Sequence, residues 1–93
     1  MEDILPSDFH LSQNYPNPFK DKTVIKYCVP YKTKVNLEVF NPAGEKVIVL
    51  VNDIKQPGTF QVEFNAIGLA SGEYYYRFKG GNFVETKKMV LIK

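Results

Sequence analysis

The alternation of apolar and polar residues along several short segments is the feature that most limits how this chain can fold. Residues 34–40, 59–65 and 73–79 each place apolar side chains at every second position. Because successive side chains of a β-strand point to opposite faces, this pattern is typical of strands with one buried face. Turn signals separate such segments, as in Asn-Pro-Ala-Gly at residues 41–44 and Gly-Gly-Asn at residues 80–82. With no helical period between them, these segments predict an all-β chain.

Seven short strands at spacings of about ten residues predict an immunoglobulin-like antiparallel β-sandwich. The segment at residues 45–51 is apolar on both faces, which predicts a strand that is central in its sheet or bulged. Residues 52–58 are predicted as a polar loop. The last two segments could also form one strand with an irregularity between them. The predicted strands are residues 23–29, 34–40, 45–51, 59–65, 73–79, 83–86 and 87–92.

The first twenty residues differ from the rest of the chain. They hold three of its six prolines, with Asn and Ser among them, and this composition predicts an extended segment. We therefore divide the chain into an extended Pro-rich lead-in, residues 1–20, and a β-sandwich, residues 21–93. Four apolar side chains are expected to pin the lead-in against the domain: Phe9, Leu11, Tyr15 and Phe19.

Composition and charge are those of one ordinary folded domain. A chain of 93 residues is too short for two domains that each bury a useful core. The net charge of +2 and a single arginine, Arg77, leave little material for recognising phosphates or bases, so we expect no nucleic-acid partner. Cys28 is the only cysteine, which excludes an intrachain disulfide but indicates no particular compartment.

Membrane and targeting signals are also absent from the sequence. No run of about 18 apolar residues is present, so no membrane-spanning helix is predicted. Residues 1–5 are short and acidic, whereas a secretory signal would be basic and then apolar. If the parent protein is exported, we expect its signal peptide to lie upstream of this segment.

Residues that could carry catalysis are few. A nucleophilic site would need His10, the only histidine, to lie beside Cys28 or a serine on a rigid scaffold. One histidine and one cysteine do not make a zinc site, and no Gly-rich phosphate loop is present. The carboxylates are scattered, and Glu38 and Glu63 are expected on solvated strand faces. The sequence therefore predicts no enzymatic activity, no cofactor and no metal.

The last segment of the chain is apolar on both of its faces. Met89 and Leu91 fall on one face, and Val90 and Ile92 fall on the other. A strand of this kind is either central in a sheet or in contact with a partner. Flanking lysines would discourage aggregation between strand edges. Two interpretations stay open, a core strand or a segment that another protein recognises.

Six short motifs follow one another along the chain: LSQNYPNPF (residues 11–19), TVIKY (23–27), VNLEVF (35–40), GEKV (44–47), LASGEYYYR (69–77) and TKKMVLIK (86–93). In this order they resemble the type A C-terminal sorting domains of the type IX secretion system, also called the Por secretion system. The resemblance covers residues 11–93, and the ordered set is specific although no single motif is. The residues that match the family motifs are Asn14, Tyr15, Pro16, Asn17, Pro18, Phe19, Gly72, Tyr74 and Tyr76.

This resemblance implies both a fold and a function. Members of the family form the C-termini of large secreted enzymes and adhesins of Bacteroidota and adopt an immunoglobulin-like sandwich. They direct an N-terminal cargo, in cis, through an outer-membrane translocon. A sortase-like surface protease commonly removes the domain afterwards, and the cargo can be joined to an anionic lipopolysaccharide. The chain is therefore expected in the periplasm, in transit to the cell surface or the extracellular space.

The resemblance also assigns roles to particular segments. Gly72 and Tyr74 match the Gly-x-Tyr motif of the family, which is interpreted as a turn followed by an inward aromatic. Cleavage is expected upstream of, or near, residues 1–10, where the lead-in would keep the chain accessible to a protease. The segment that the translocon is expected to recognise comprises Lys87, Lys88, Met89, Val90, Leu91, Ile92 and Lys93.

Two departures from the family pattern leave its core positions intact. Cys28 stands where a small polar residue is usual, and Asp21-Lys22 stands where Pro-Thr is common. Two alternative functions remain open. One is a structural immunoglobulin-like module, similar to the domain of flagellar hook-capping proteins, in which the last strand is only core. The other is a carbohydrate-binding module that uses Tyr75 or Tyr31 as a stacking platform. An isolated domain could also form a homodimer through exposed strand edges.

Overall fold

The computed structural model describes residues 6–93, which form seven β-strands and no helix. These residues therefore include no helix that could span a membrane. The strands are β1 (His10–Leu11), β2 (Lys22–Val29), β3 (Thr33–Phe40), β4 (Lys46–Lys55), β5 (Gly58–Asn65), β6 (Gly72–Gly80) and β7 (Phe83–Leu91).

Two antiparallel sheets pack face to face. One has three strands in the order β1-β2-β5, and the other has four strands in the order β4-β3-β6-β7. The fourth strand pairs with the third instead of joining the sheet of the first two, which is one arrangement of a seven-stranded immunoglobulin-like sandwich. The predicted fold class is confirmed.

Alternation along the strands decides which side chains fill the space between the sheets. Val35, Leu37 and Val39 of β3 are completely buried, as predicted from their spacing. In β5 only Phe64 is fully buried, because that strand lies at the edge of its sheet. The buried apolar residues are Leu11, Phe19, Ile25, Tyr27, Val29, Val35, Leu37, Val39, Phe64, Ala66, Tyr74, Tyr76, Phe78, Met89 and Leu91.

Strand β4 differs most from its prediction. The expected bulging is confirmed, since its pairing with β3 shifts register between Leu37 and Glu38 and again between Val39 and Phe40. Of the two predicted alternatives, a central or a bulged strand, the structure excludes the first, because β4 is an edge strand. Residues 52–55 also belong to the strand and not to a loop. The strand accepts polar side chains there because Asn52 and Asp53 are exposed to solvent.

The β6–β7 hairpin is more regular than predicted. Residues 83–91 form a single strand that pairs with β6 without a register shift. The strands are joined at Gly81 and Asn82, and Gly81 has a φ of +54°. Glycine adopts this left-handed conformation without the steric cost of a Cβ atom, which favours a tight two-residue connection.

Part of the lead-in is packed against the sandwich. His10 and Leu11 pair with β2, and Leu11 and Phe19 are buried at 1% and 2% exposure. Phe9 is half-buried and stacks on Phe83. The prediction that Tyr15 pins this segment is wrong, because its side chain is 81% exposed. Only the backbone of Tyr15 is engaged.

Phe19 and Tyr15 therefore make a matched pair for testing how the lead-in is attached. We expect Phe19→Ala to lower the free energy of unfolding by about 3–5 kcal/mol, since it removes a buried ring that packs edge-on against Phe64. Tyr15→Ala should change it by less than about 0.5 kcal/mol because the ring is exposed. Urea unfolding of the two variants measures both values. Equal losses would contradict the packing described here.

Candidate functional site

The segments that carry the first and the last of the six family motifs lie side by side at one edge of the four-stranded sheet. The Asn17 Oδ1 atom accepts a hydrogen bond of 2.9 Å from the Val90 amide. The Phe19 amide donates to the Val90 carbonyl at 3.0 Å, and the Ile92 amide donates to the Phe19 carbonyl at 2.8 Å. We call residues 13–19 the cover segment, because they close the outer edge of β7 over its last residues.

A second set of bonds attaches the cover segment to the three-stranded sheet. The backbones of Tyr15 and Val24 exchange two hydrogen bonds of 3.0 Å. The Asn14 side-chain amide donates to the Thr23 hydroxyl at 2.9 Å, and that hydroxyl donates to the Pro16 carbonyl at 2.8 Å. The peptide bonds that precede Pro16 and Pro18 are both cis. The cover segment thus joins the two sheets along one side of the sandwich.

Tyr76 anchors the cover segment from within the core. Its side chain is fully buried, and its hydroxyl donates to the Ser12 carbonyl at 2.8 Å while it accepts from the Asn14 amide at 2.9 Å. Burial raises the pKa of the Tyr76 hydroxyl to about 12, and the negative charge of Glu85 adds to this. The hydrogen bond from Asn14 acts in the opposite direction. A neutral tyrosine therefore stays in place across the physiological pH range.

The predicted recognition segment, residues 87–93, has its first five residues in β7 and its last two beyond the end of that strand. Met89 and Leu91 point into the core at 0% and 1% exposure. Lys88 and Val90 lie on the outer face of the sheet, where Lys88 forms an ion pair of 3.4 Å with Glu73. A partner of the folded domain can therefore reach only part of this segment.

The remaining three residues of that segment also differ in their surroundings. Lys87 lies on the inward-facing side of the strand edge and pairs with Glu85 at 3.3 Å. Inward-pointing charges of this kind discourage pairing between strand edges. Ile92 is 43% exposed, and Lys93 is exposed. The accessible side chains of the segment are chiefly those of Lys88, Ile92 and Lys93.

The Gly-x-Tyr motif supports the same strand. Gly72 and Tyr74 of β6 lie opposite Leu91 and Met89 of β7. The Tyr74 ring is buried, and its hydroxyl donates to the Ala70 carbonyl at 2.7 Å. A Cβ atom at position 72 would approach the Pro42 ring to 3.1 Å, which leaves room there for glycine alone without rearrangement. In this chain the motif positions the last strand.

The structure brings together the two residues considered for nucleophilic chemistry. His10 of β1 and Cys28 of β2 lie opposite each other in the three-stranded sheet. The Cys28 thiol nevertheless contacts the Thr59 hydroxyl of β5, at 3.6 Å. Within residues 6–93 no group of three or more His, Cys, Asp or Glu side chains is placed to hold a metal ion.

The two tyrosines considered for carbohydrate stacking belong to different places. Tyr31 packs edge-on against Phe9, with ring centroids 5.4 Å apart, in a depression that Phe83 also lines. Tyr75 lies on the outer face of the four-stranded sheet, in a second depression lined by Phe40. They do not form one stacking platform.

Glu38 is a residue whose surroundings the sequence misjudges. It was expected on a solvated face, but it is buried at 7% exposure between two cations. Its carboxylate lies 2.8 Å from the Lys46 ammonium and 3.1 Å from the Arg77 guanidinium. The hydrogen bond from Lys46 lowers the pKa of Glu38, and Arg77 lowers it further, although partial burial opposes them. The carboxylate is therefore ionised at neutral pH.

Comparison with known proteins gives one match. A family model described as the secretion system C-terminal sorting domain matches residues 13–93. The chain belongs to this family. The comparison with curated proteins and the comparison with solved structures each give no match. The matched range of this sorting domain begins at the first residue of the cover segment and includes all of β7, so it contains both halves of the contact described above.

Membership bears out part of what the motifs imply. The resemblance to type IX sorting domains is confirmed. Membership implies a cargo that lies N-terminal to the sorting domain and a secretion machinery as its partner. It also implies export through the periplasm toward the cell surface.

Tyr76→Phe should show how much the buried hydroxyl contributes. At neutral pH we expect the variant to lose about 1–3 kcal/mol of unfolding free energy, because the Asn14 amide and Ser12 carbonyl lose their partner. The raised pKa predicts that the wild type loses part of its stability between pH 10 and pH 12, since the unfolded tyrosine ionises first. Phenylalanine does not ionise, so position 76 contributes no such pH dependence in the variant. The difference in unfolding free energy between the two proteins should therefore decrease from pH 10 to pH 12 in urea titrations, and a constant difference would contradict this.

Glu38→Gln tests the charge cluster by the opposite pH dependence. Because the pKa of Glu38 is lowered in the folded state, its ionised carboxylate stabilises the fold at pH values above its ordinary pKa of 4.5. This stabilisation is lost as the pH falls through the folded-state pKa. At neutral pH the variant should be less stable by up to about 1 kcal/mol, because solvent screens the half-exposed cations. Thermal melts from neutral to acidic pH measure the difference. A difference that grows on acidification would refute the assignment.

Proposed function

We propose that this domain is the C-terminal signal by which a larger protein crosses the outer membrane through type IX secretion. The family match to residues 13–93 carries the proposal. It is supported by the contact between the cover segment and β7, because that contact makes the motifs at both ends of the domain into one folded unit. The signal acts by being bound, without catalysis.

The proposed mechanism is recognition of the folded terminal segment by the outer-membrane translocon. Met89 and Leu91 hold the strand in the core, so the machinery contacts what they leave outside. The exposed residues beyond the strand, Ile92 and Lys93, and the adjacent Lys88 are the most accessible. Recognition of a folded surface then requires an intact core beneath it.

Removal of the domain by a sortase-like surface protease is the second part of the proposal. Proteases act on chain that is exposed and not paired in a sheet. Residues 10–11 pair with β2 and residues 13–19 are bonded to both sheets, which protects this half of the lead-in. We therefore place the cleavage N-terminal to His10. After cleavage the cargo is released to the cell surface or the extracellular space.

The competing function, a structural immunoglobulin-like module, is favoured by one observation. The burial of Met89 and Leu91 explains the apolar character of one face of the last strand by packing alone. Deletion of the strand cannot distinguish the sorting signal from the structural module, because it would remove core residues. Substitution of the exposed lysines of the strand can distinguish them.

The free edge of β4 is where an isolated domain would form a homodimer. It carries exposed Ile48, Val49 and Ile54. The two register shifts in its pairing with β3 twist this edge, which works against regular strand addition. A dimer of the isolated domain would therefore be weak and would say little about export.

The test is export of a reporter fused to residues 1–93 in a bacterium that has type IX secretion. We expect the parent fusion to reach the cell surface, and Lys88→Ala/Lys93→Ala to reduce surface reporter by about tenfold, as the loss of contacts worth about 1.4 kcal/mol would do. Lys87→Ala is the matched control, because Lys87 faces away and pairs with Glu85. A thermal melt confirms that each variant folds.

The outcomes separate the proposals. Loss of export in the folded double variant with retention in the control supports recognition of the terminal segment. If all fusions reach the surface, the sorting function stands, but the translocon does not recognise the exposed lysines. If the folded parent fusion stays in the periplasm, the sorting proposal fails and the structural module replaces it.

A further inference from the structure

The outer face of the four-stranded sheet holds five of the twelve lysine and arginine side chains of this chain, and it is more positive than the outer face of the other sheet. The register of β4, β3, β6 and β7 places five cations and two carboxylates on it, a net charge of +3. The outer face of the three-stranded sheet carries two lysines and one glutamate. We call the first surface the cationic face; its charged residues are Lys34, Glu38, Lys46, Glu73, Arg77, Lys79 and Lys88.

Both carboxylates of the cationic face are already engaged by cations of the same face. Glu38 binds Lys46 and Arg77, and Glu73 pairs with Lys88. Lys34 and Lys79 are exposed, and neither forms an ion pair with another residue of the described chain. The positive charge is therefore in excess at the surface, where an approaching group would meet it.

An aromatic depression lies among these charges. Phe40 and Tyr75 are cross-strand neighbours, and both are half-buried. The Arg77 guanidinium lies over the Phe40 ring at 4.8 Å from its centroid. These three residues, with Gly44 and Thr86, line a depression of about 270 Å³. Aromatic and arginine side chains that are partly desolvated in this way are the residues that dominate binding energy at protein interfaces.

We propose that the cationic face docks an acidic protein surface, one that inserts an apolar side chain into the depression and places carboxylates near Lys34 and Lys79. Fixed carboxylates and exposed apolar residues, Val49 and Val84, lie between the cations. Such a mixed pattern fits a complementary protein surface better than a uniformly anionic membrane, because opposing charges on a partner fix its register.

The size of the cationic face indicates a transient contact. Four strands about 4.8 Å apart and about eight residues long, at about 3.3 Å per residue, cover roughly 500 Å². With an equal area on the partner this is about 1,000 Å², below the range of stable complexes. A contact of this size suits a signal that must be released after delivery.

This inference rests on the proposed function and extends it. Lys88 and Val90 of the terminal segment belong to the cationic face, so the two surfaces are continuous. The acidic surface is accordingly that of a component of the export machinery.

Charge reversal on the two faces provides a matched experiment. Lys34→Glu/Lys79→Glu alters the cationic face, and Lys22→Glu/Lys26→Glu makes the same change on the other sheet, where both lysines are also exposed. We expect the first pair of substitutions to reduce surface reporter at least about tenfold and the second to leave it unchanged. Thermal melts establish folding. If the first variant does not fold, Lys34→Gln/Lys79→Gln replaces it.

Each result decides the proposal. Equal export of both folded variants overturns it, and equal loss overturns it too, because the effect would then follow total charge and not the face. If the parent fusion is not exported, the proposed function and this inference fail together. If the parent is exported and Lys34→Glu/Lys79→Glu does not reduce its export, the inference alone fails. Binding of the purified 93-residue chain to phosphatidylglycerol vesicles that the first substitutions abolish would make the partner a membrane and overturn the protein surface.

Discussion

The hydrogen bonds between the cover segment and β7 are the interaction on which the rest of the structure depends. A strand at the edge of a sheet leaves a row of amide and carbonyl groups without partners, and these groups attract other strands. Here the Val90 and Ile92 amides and the Lys88 and Val90 carbonyls are taken by residues 13–19. The last strand is at an edge, and that edge is nevertheless closed over the last residues of the strand. The outward side chains of β7 can then form a binding surface, while its bonded backbone groups do not pair with strands of other molecules.

Closure of this edge separates two tasks within one strand. Met89 and Leu91 contribute to the core, while Lys88 and Val90 face outward beside Tyr75 and Glu73. Because the period of a strand is two, the same short stretch, residues 88–91, can be essential for folding and available for binding. A substitution in the segment is therefore informative about recognition only if it falls on the outward positions.

The strands were predictable because their alternation is a local property, and β3 and β6 follow it closely. The sequence did not reveal the edge position of β4, since apolar residues on both faces are compatible with either place in a sheet. Nor did it reveal that Glu38 is buried, because its cations Lys46 and Arg77 come from different strands. The family motif was found at Asn17 and Phe19, but their bonds to Val90 span more than seventy residues and have no local signature.

These long-range bonds also bear on when the domain can fold. Gln13 reaches the Lys88 carbonyl across 75 positions, and Ser12 and Asn14 reach the Tyr76 hydroxyl across 64 and 62. Contacts between residues so distant in sequence form late, because the chain must first close a long loop. During synthesis the cover segment has no edge to bind until β7 has been translated. A chain that ends before the last residues of β7 cannot complete this surface, so an incomplete domain would lack the surface that recognition requires.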